Sequence, residues 1–184
     1  MFFPGDSMER ARRLKLMAFD VDGVLTDGSL YFTDAGTEIK SFNPRDGQGM
    51  RMLQDAGVTL AIITGRDAAC VTWRMKNLGI EHVYQGIGHK LTTFHGLLAK
   101  LGLEAHEAGF MGDDVIDLQV MAACGFSAAP ADCHELNRQR ADYLANLPGG
   151  RGAVREVCEF ILAAQGKLDA VFARYLASPA TDEK

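Results

Sequence analysis

The chain has 184 residues, 47% of them hydrophobic and 23% charged, with a formal net charge of −5. That length suits one domain with a sizeable core, and the acidic balance argues against a nucleic-acid partner, whose phosphates need a basic surface. No apolar run approaches the roughly 20 residues of a membrane span. The first six residues carry no basic leader followed by an apolar stretch, so a cytoplasmic protein without a membrane partner is expected. Cys70, Cys124, Cys133 and Cys158 form no Cys-x-x-Cys pair and read as free thiols, with Cys133-His134 near Cys124 at most a fragment of a zinc pattern. The basic stretch 10–15 reads as a solvated face.

Residues 14–19, apolar except for Lys15, predict a buried strand that ends in Asp20, Asp22 and Gly23. Residues 29–42 have no helical period. Leu30-Tyr31-Phe32, a turn-like Asp34-Ala35-Gly36 and a second apolar piece from Ile39 predict a β-hairpin too small to be a folded cap. A helix over 46–56 stops at Gly57, and the β-branched run 59–64 predicts a strand covered on both faces. A helix over 68–78, a weak strand at 83–84 and a helix over 90–101 follow, the two helices closed by Gly79 and Gly102. Then come a strand at 108–111, a helix over 117–124, a strand at 126–128 and a helix over 153–165. This alternation predicts an α/β fold, a three-layer Rossmann-like parallel sheet, as a single domain over 1–165. The tail 166–184 has Leu168, Val171, Phe172, Tyr175 and Leu176 at helical spacing and packs on the body or on a neighbour, with 178–184 expected to be disordered.

Four strand ends are chemically loaded. Asp20 and Asp22, one residue apart, can divide attack from proton transfer, although an acidic surface turn has the same appearance. Thr64-Gly65-Arg66 offers a hydroxyl and a guanidinium suited to an anion. Lys90 opens a helix against the dipole preference, so it is either solvated or faces an anion. Asp113, Asp114 and Asp117 would repel one another unless a cation or protons intervene, and such an oxygen-rich cluster favours Mg²⁺. One of Asp113 and Asp114 can instead cap the following helix.

In this order and spacing, the chain resembles the haloacid dehalogenase superfamily of phosphotransferases over residues 14–165. The resemblance implies that Asp20 is the nucleophile and forms an aspartyl-phosphate. Asp22 would protonate the leaving oxygen and then activate water. Thr64 and Lys90 would hold phosphoryl oxygens, and Mg²⁺ would bind Asp20, Asp113 and the backbone carbonyl of Asp22, with Asp114 and Asp117 nearby. Ion pumps of the superfamily carry Thr at the Asp22 position and its dehalogenases lack the acid, so Asp22 points to a phosphatase or phosphomutase.

Residues 42–47 (Phe-Asn-Pro-Arg-Asp-Gly), Arg51, Arg66, Arg74, 86–90 and 149–156 (Gly-Gly-Arg-Gly-Ala-Val-Arg-Glu) are similar to those of the 3-deoxy-D-manno-octulosonate 8-phosphate phosphatase family. That family acts in lipopolysaccharide sugar synthesis, lacks a true cap and forms tetramers in which the hairpin reaches towards a neighbouring active site. By position, the resemblance implies substrate contacts from Asp22, Asn43, Pro44, Arg45, Asp46, Gly47, Arg51, Arg66, Arg74 and Lys90. Arg51 and Arg74 also fit exposed helix faces, and 149–152 reads as a flexible loop near the site or a turn before the last helix. Pro44 and Gln48 depart from the family pattern, Pro44 stiffening its loop by fixing φ. Alternatives are a phosphatase for a nine-carbon sialic-type acid 9-phosphate, or a non-catalytic assembly module of a sugar-nucleotide pathway. Against the module stand the intact Asp20, Asp22, Lys90 and Asp113; a phosphomutase would call for a larger cap.

Overall fold

The computed structural model describes residues 4–177, so the expectation for 178–184 lies outside the described residues. Helix α1 (Pro4–Arg12) leads into strand β1 (Leu16–Phe19), then a hairpin of β2 (Tyr31–Phe32) and β3 (Glu38–Ile39). Helix α2 (Pro44–Asp55), β4 (Thr59–Ile63), α3 (Ala69–Leu78), β5 (His82–Tyr84) and α4 (Lys90–Leu101) follow. The second half runs β6 (Ala108–Met111), α5 (Leu118–Ala123), β7 (Phe126–Ala129), α6 (Glu135–Arg140), β8 (Tyr143–Leu144), α7 (Ala153–Ala164) and α8 (Leu168–Ala177).

Six of the strands form one parallel sheet in the order β5-β4-β1-β6-β7-β8. All four residues of β1 are buried because the strand is covered on both faces. Met17 and Phe19 point into a core shared with α1, α2, α3 and α7, whereas Leu16 and Ala18 point into one shared with α4 and α5. The chain lays β4 and β5 on one side of β1, then crosses back to lay β6, β7 and β8 on the other. That reversal opens a crevice outside the carboxyl ends of β1, β4 and β6, where open α/β sheets bind ligands. The three-layer α/β expectation therefore holds.

The hairpin is shorter than the sequence suggested, with two-residue strands pairing Tyr31 with Ile39 and Phe32 with Glu38. Gly36, at φ +77°, closes its turn. Three elements were not foreseen. Helix α1 has a mostly polar sequence, α6 buries only Asn137, and β8 is two half-buried residues, so none carries an apolar period. The predicted helix over 117–124 begins as a 3-10 turn, Val115–Asp117, before α5. Helix α8 packs on the body through Leu168, Val171 and Phe172, leaving Leu176 88% exposed. Its Tyr175 hydroxyl accepts a hydrogen bond from Gln48 on α2 at 2.6 Å.

Candidate active site

Asp20 leaves β1 with its backbone N–H donating to Met111 O at 3.0 Å, which ties the end of β1 to β6. The carbonyl of Val21 then accepts from Val24, Leu25 and Thr26, folding the chain into a tight turn that returns Asp22 to the crevice. Gly23, at φ +82°, is required there twice over: a Cβ would fall 2.0 Å from Asp113 Oδ2. Thr64 ends β4, fixed by its N–H to Tyr84 O at 3.0 Å. Asp20, Asp22, Thr64, Arg66, Asp113 and Asp114 line one cavity of about 250 Å³.

Lys90 reaches into this group from the start of α4. Only 5% exposed, it lies 2.9 Å from Asp20 Oδ2 and 2.6 Å from Asp117 Oδ1. Of the two readings for a lysine at a helix start, the structure selects the anion-facing one. Burial alone would lower its pKa, but Asp20 and Asp117 more than offset that and hold the ammonium above its ordinary value. Burial, together with the negative Asp117, raises Asp20 to about 6 against the opposing pull of Lys90. Asp113 is pushed to about 8 by burial and by its neighbours Asp20, Asp117 and Asp114.

The cluster is arranged for a cation. Asp20, Asp113 and Asp117 bring carboxylate oxygens within 4.8 Å of one another, the group among the described residues able to hold a metal. Asp117 is already committed, since Oδ1 takes Lys90 and Oδ2 accepts the backbone N–H of Asp113 at 3.1 Å. Asp114 caps the 3-10 turn through Val115 N at 2.7 Å, so the capping role falls to it rather than to Asp113. What remain are Asp20 Oδ1 and Asp113 Oδ1, both buried and without a partner. Each such atom costs about 1–3 kcal/mol unless something binds it, and a hard divalent ion satisfies both. Cys124, Cys133 and His134 are absent from that grouping, and the four cysteines are free.

Two charged residues that sequence reasoning passed over belong to the site. Lys40 Nζ binds Asp22 Oδ1 and lies 2.5 Å from Glu38 Oε1, and Glu38 in turn receives Arg66 at 3.0 Å. The available signal was Glu38-x-Lys40, two charges on one face of a hairpin strand whose other face carries Ile39.

The expected sugar contacts are divided by the fold. Arg66 reaches the cavity rim, paired with Glu38. Asn43 and Pro44 line a separate hollow of about 240 Å³ with Asp27, Gly150 and Arg151. Asn43 caps α2 through Arg45 N at 2.9 Å, with Pro44 at the first helical position. Asp46 is 1% exposed and directs both carboxylate oxygens to backbone N–H groups at the start of α7, those of Gly152 and Arg155. It therefore joins α2 to α7 and is not among the residues lining the cavity that holds Asp20. Arg74 lies over the Phe42 ring and against Asn43 O, and its guanidinium occupies the space that a Cβ on Gly47 would take, 2.2 Å from Nη2. Arg51 binds the carbonyl of Asn77 at 2.7 Å, at the end of α3. The 149–152 stretch is the turn before α7 and is tightly packed beside the site: a Cβ on Gly149 would fall 1.8 Å from Gly23 O, so it presses backbone to backbone on the turn that carries Asp22.

Known proteins are similar to this chain over most of its length. The 3-deoxy-D-manno-octulosonate 8-phosphate phosphatase KdsC of Escherichia coli (strain B / BL21-DE3) is 49% identical over 164 residues, 89% of this chain and 87% of that protein. This chain belongs to the 3-deoxy-D-manno-octulosonate 8-phosphate phosphatase family. No protein-family model matches it. Among solved structures, the family member from Moraxella catarrhalis, in complex with magnesium, phosphate and a KDO molecule, is 44% identical, with a TM-score of 0.91 over 93% of this chain and 98% of that one. A probable YrbI family phosphatase from Pseudomonas syringae pv. phaseolica 1448a is 48% identical, with a TM-score of 0.93 over 95% and 99% of the two chains. The fold is thus that of the 3-deoxy-D-manno-octulosonate 8-phosphate phosphatases.

Proposed function

We infer that the chain is a phosphoric monoester hydrolase that converts 3-deoxy-D-manno-octulosonate 8-phosphate to the free sugar acid and phosphate, a step in lipopolysaccharide precursor synthesis. The observation that carries this reading is Asp20, buried, held by Lys90 on one oxygen and left unpartnered on the other, with Asp22 two residues away in the same cavity. Mg²⁺ is the cofactor. Asp20 and Asp113 would hold it, with the Asp22 carbonyl as the third protein ligand implied by the resemblance. When bound, it neutralises charge on the phosphoryl group, without which a phosphate dianion would not approach a carboxylate.

The steps belong to the chain's own groups. An Asp20 oxygen attacks phosphorus as the bond from phosphorus to the sugar oxygen breaks and its electron pair passes to that oxygen. Asp22 donates its proton there. Asp22, now a carboxylate, takes a proton from water as the water oxygen attacks the aspartyl-phosphate, which frees phosphate and restores Asp20. Lys90 stays between Asp20 and the phosphoryl oxygens, which Thr64 also holds. Asn43, Pro44, Arg45, Gly47, Arg51, Arg66 and Arg74 belong to the sugar-acid reading, in which several cationic groups meet a carboxylate beside the phosphate. Asp46 supports that segment through α7.

Half-exposed Leu30, Tyr31, Phe32 and Ile39 on the hairpin support a face that meets a neighbouring subunit, and the resemblance makes that assembly a homotetramer. Four free cysteines, and no helix among the described residues long and apolar enough to cross a membrane, support a cytoplasmic setting. The test is phosphate release from 3-deoxy-D-manno-octulosonate 8-phosphate and from a nine-carbon acid 9-phosphate, with Mg²⁺ and with chelator. The reading predicts a higher kcat/KM for the eight-carbon ester, abolished by chelator. A preference for the nine-carbon ester would overturn the assigned sugar, and no release from either would overturn the hydrolase.

A further inference from the structure

The hairpin is exposed almost throughout, yet one of its side chains is among the most enclosed in the molecule. The Lys40 side chain is 1% exposed, whereas Tyr31, Phe32 and Ile39 on the same hairpin are about half exposed. Enclosing an ammonium is unfavourable unless charge meets it, and both of its carboxylate partners lie at the cavity: Asp22 in the wall, and Glu38, which carries Arg66 at the rim. Lys40 takes Asp22 Oδ1, and Asp22 Oδ2 is buried with no partner at all. The two oxygens of one carboxylate are therefore unequal. One is anchored and the other is free.

We propose that Lys40 is a positioning residue for Asp22: by holding Oδ1 it fixes the plane of the carboxyl group and presents Oδ2 as the oxygen that delivers the proton. This rests on the phosphatase reading above. In the first step the bond between Asp20 and phosphorus forms, the bond to the leaving oxygen breaks, and the electron pair on that oxygen captures the proton from Asp22 Oδ2. Lys40 keeps its own protons throughout. The hairpin is thereby tied to the chemistry of its own subunit, through a residue that touches neither phosphate nor sugar.

Aryl phosphates of graded leaving-group acidity isolate this role, because an acidic phenol departs without a proton and a weakly acidic one needs it. They also carry no sugar that the hairpin might bind. The quantity to measure is kcat/KM, which reports only steps up to transfer onto Asp20, for wild type, Lys40→Met, Lys40→Gln, Asp22→Asn and the Asp22→Asn/Lys40→Met double variant, each checked for folding by circular dichroism and thermal midpoint. In Lys40→Met, we expect a loss within about threefold for 4-nitrophenyl phosphate and about thirtyfold or more for phenyl phosphate, in line with what a proton donor contributes. Lys40→Gln, which retains a shorter donor, should fall between it and wild type. The double variant should show the leaving-group dependence of Asp22→Asn alone. Equal loss across the series, no loss, or a double variant in which the two losses multiply would each overturn the proposal. Failure of wild type to hydrolyse both these esters and 3-deoxy-D-manno-octulosonate 8-phosphate would overturn the phosphatase reading instead.

Discussion

Asp113 holds its carboxyl group in surroundings that resist its charge. Burial and three neighbouring aspartates raise it to about 8, and Asp20 is raised to about 6. In an unfolded chain both would titrate near ~4. Between those values the folded protein holds more protons than the unfolded one, so the stability of the metal-free protein falls as pH rises from about 4 towards 8. A cation that takes the two orphaned oxygens must displace those protons, so its stabilising effect grows over the same interval. The difference in thermal midpoint with and without Mg²⁺ should therefore be larger at about pH 8 than at about pH 5.5, and Asp113→Asn should remove it. A difference independent of pH would contradict the assignment of the ion to these two oxygens. Lys90 illustrates what a sequence withholds at this scale. Its place at a helix start was plain, but whether it met solvent or anions depended on Asp20 and Asp117, 70 and 27 residues away.

Among the elements, the hairpin was legible because residues 29–42 break the helical period around Asp34-Ala35-Gly36. Its inward charges were not, since Glu38 and Lys40 look like any polar face of a strand. Two strands of two residues cannot stabilise themselves in water, and the apolar residues they expose ask for a cover. Wild type should run as an oligomer in light scattering at micromolar concentration, and a Tyr31→Ser/Phe32→Ser/Ile39→Ser variant should give a smaller species. A monomeric wild type, or an unchanged mass in the variant, would remove the hairpin from the interface. Helix α2 shows the opposite limit. Its apolar spacing was readable, but Asp46 serves as the anchor of α7, more than a hundred residues later. Sequence spacing carries no trace of such a pairing, so this tie between α2 and α7 was not foreseen.

Across the whole molecule, the order of loaded strand ends was readable because a parallel sheet delivers all its carboxyl ends to one edge. Asp20, Asp22, Thr64 and Asp113 converge there, and Lys90 is carried to them by α4. The glycine-rich loop before α7 could not be read in the same way. Its role depends on Gly149 meeting Gly23 backbone to backbone, a contact between two turns at opposite ends of the chain. Asn43, Pro44, Arg51 and Arg74 settle outside the cavity that holds Asp20, a division of the residues assigned to the sugar that their order in the chain does not carry.

The central claim is that Asp20 carries the phosphoryl group, and the direct measurement is Mg²⁺-dependent phosphate release from 3-deoxy-D-manno-octulosonate 8-phosphate by wild type and Asp20→Asn, side by side with their thermal midpoints. Asn is nearly isosteric and removes a buried charge, so the account predicts a folded variant with no detectable turnover. A folded Asp20→Asn protein that still releases phosphate at a rate near wild type would contradict it.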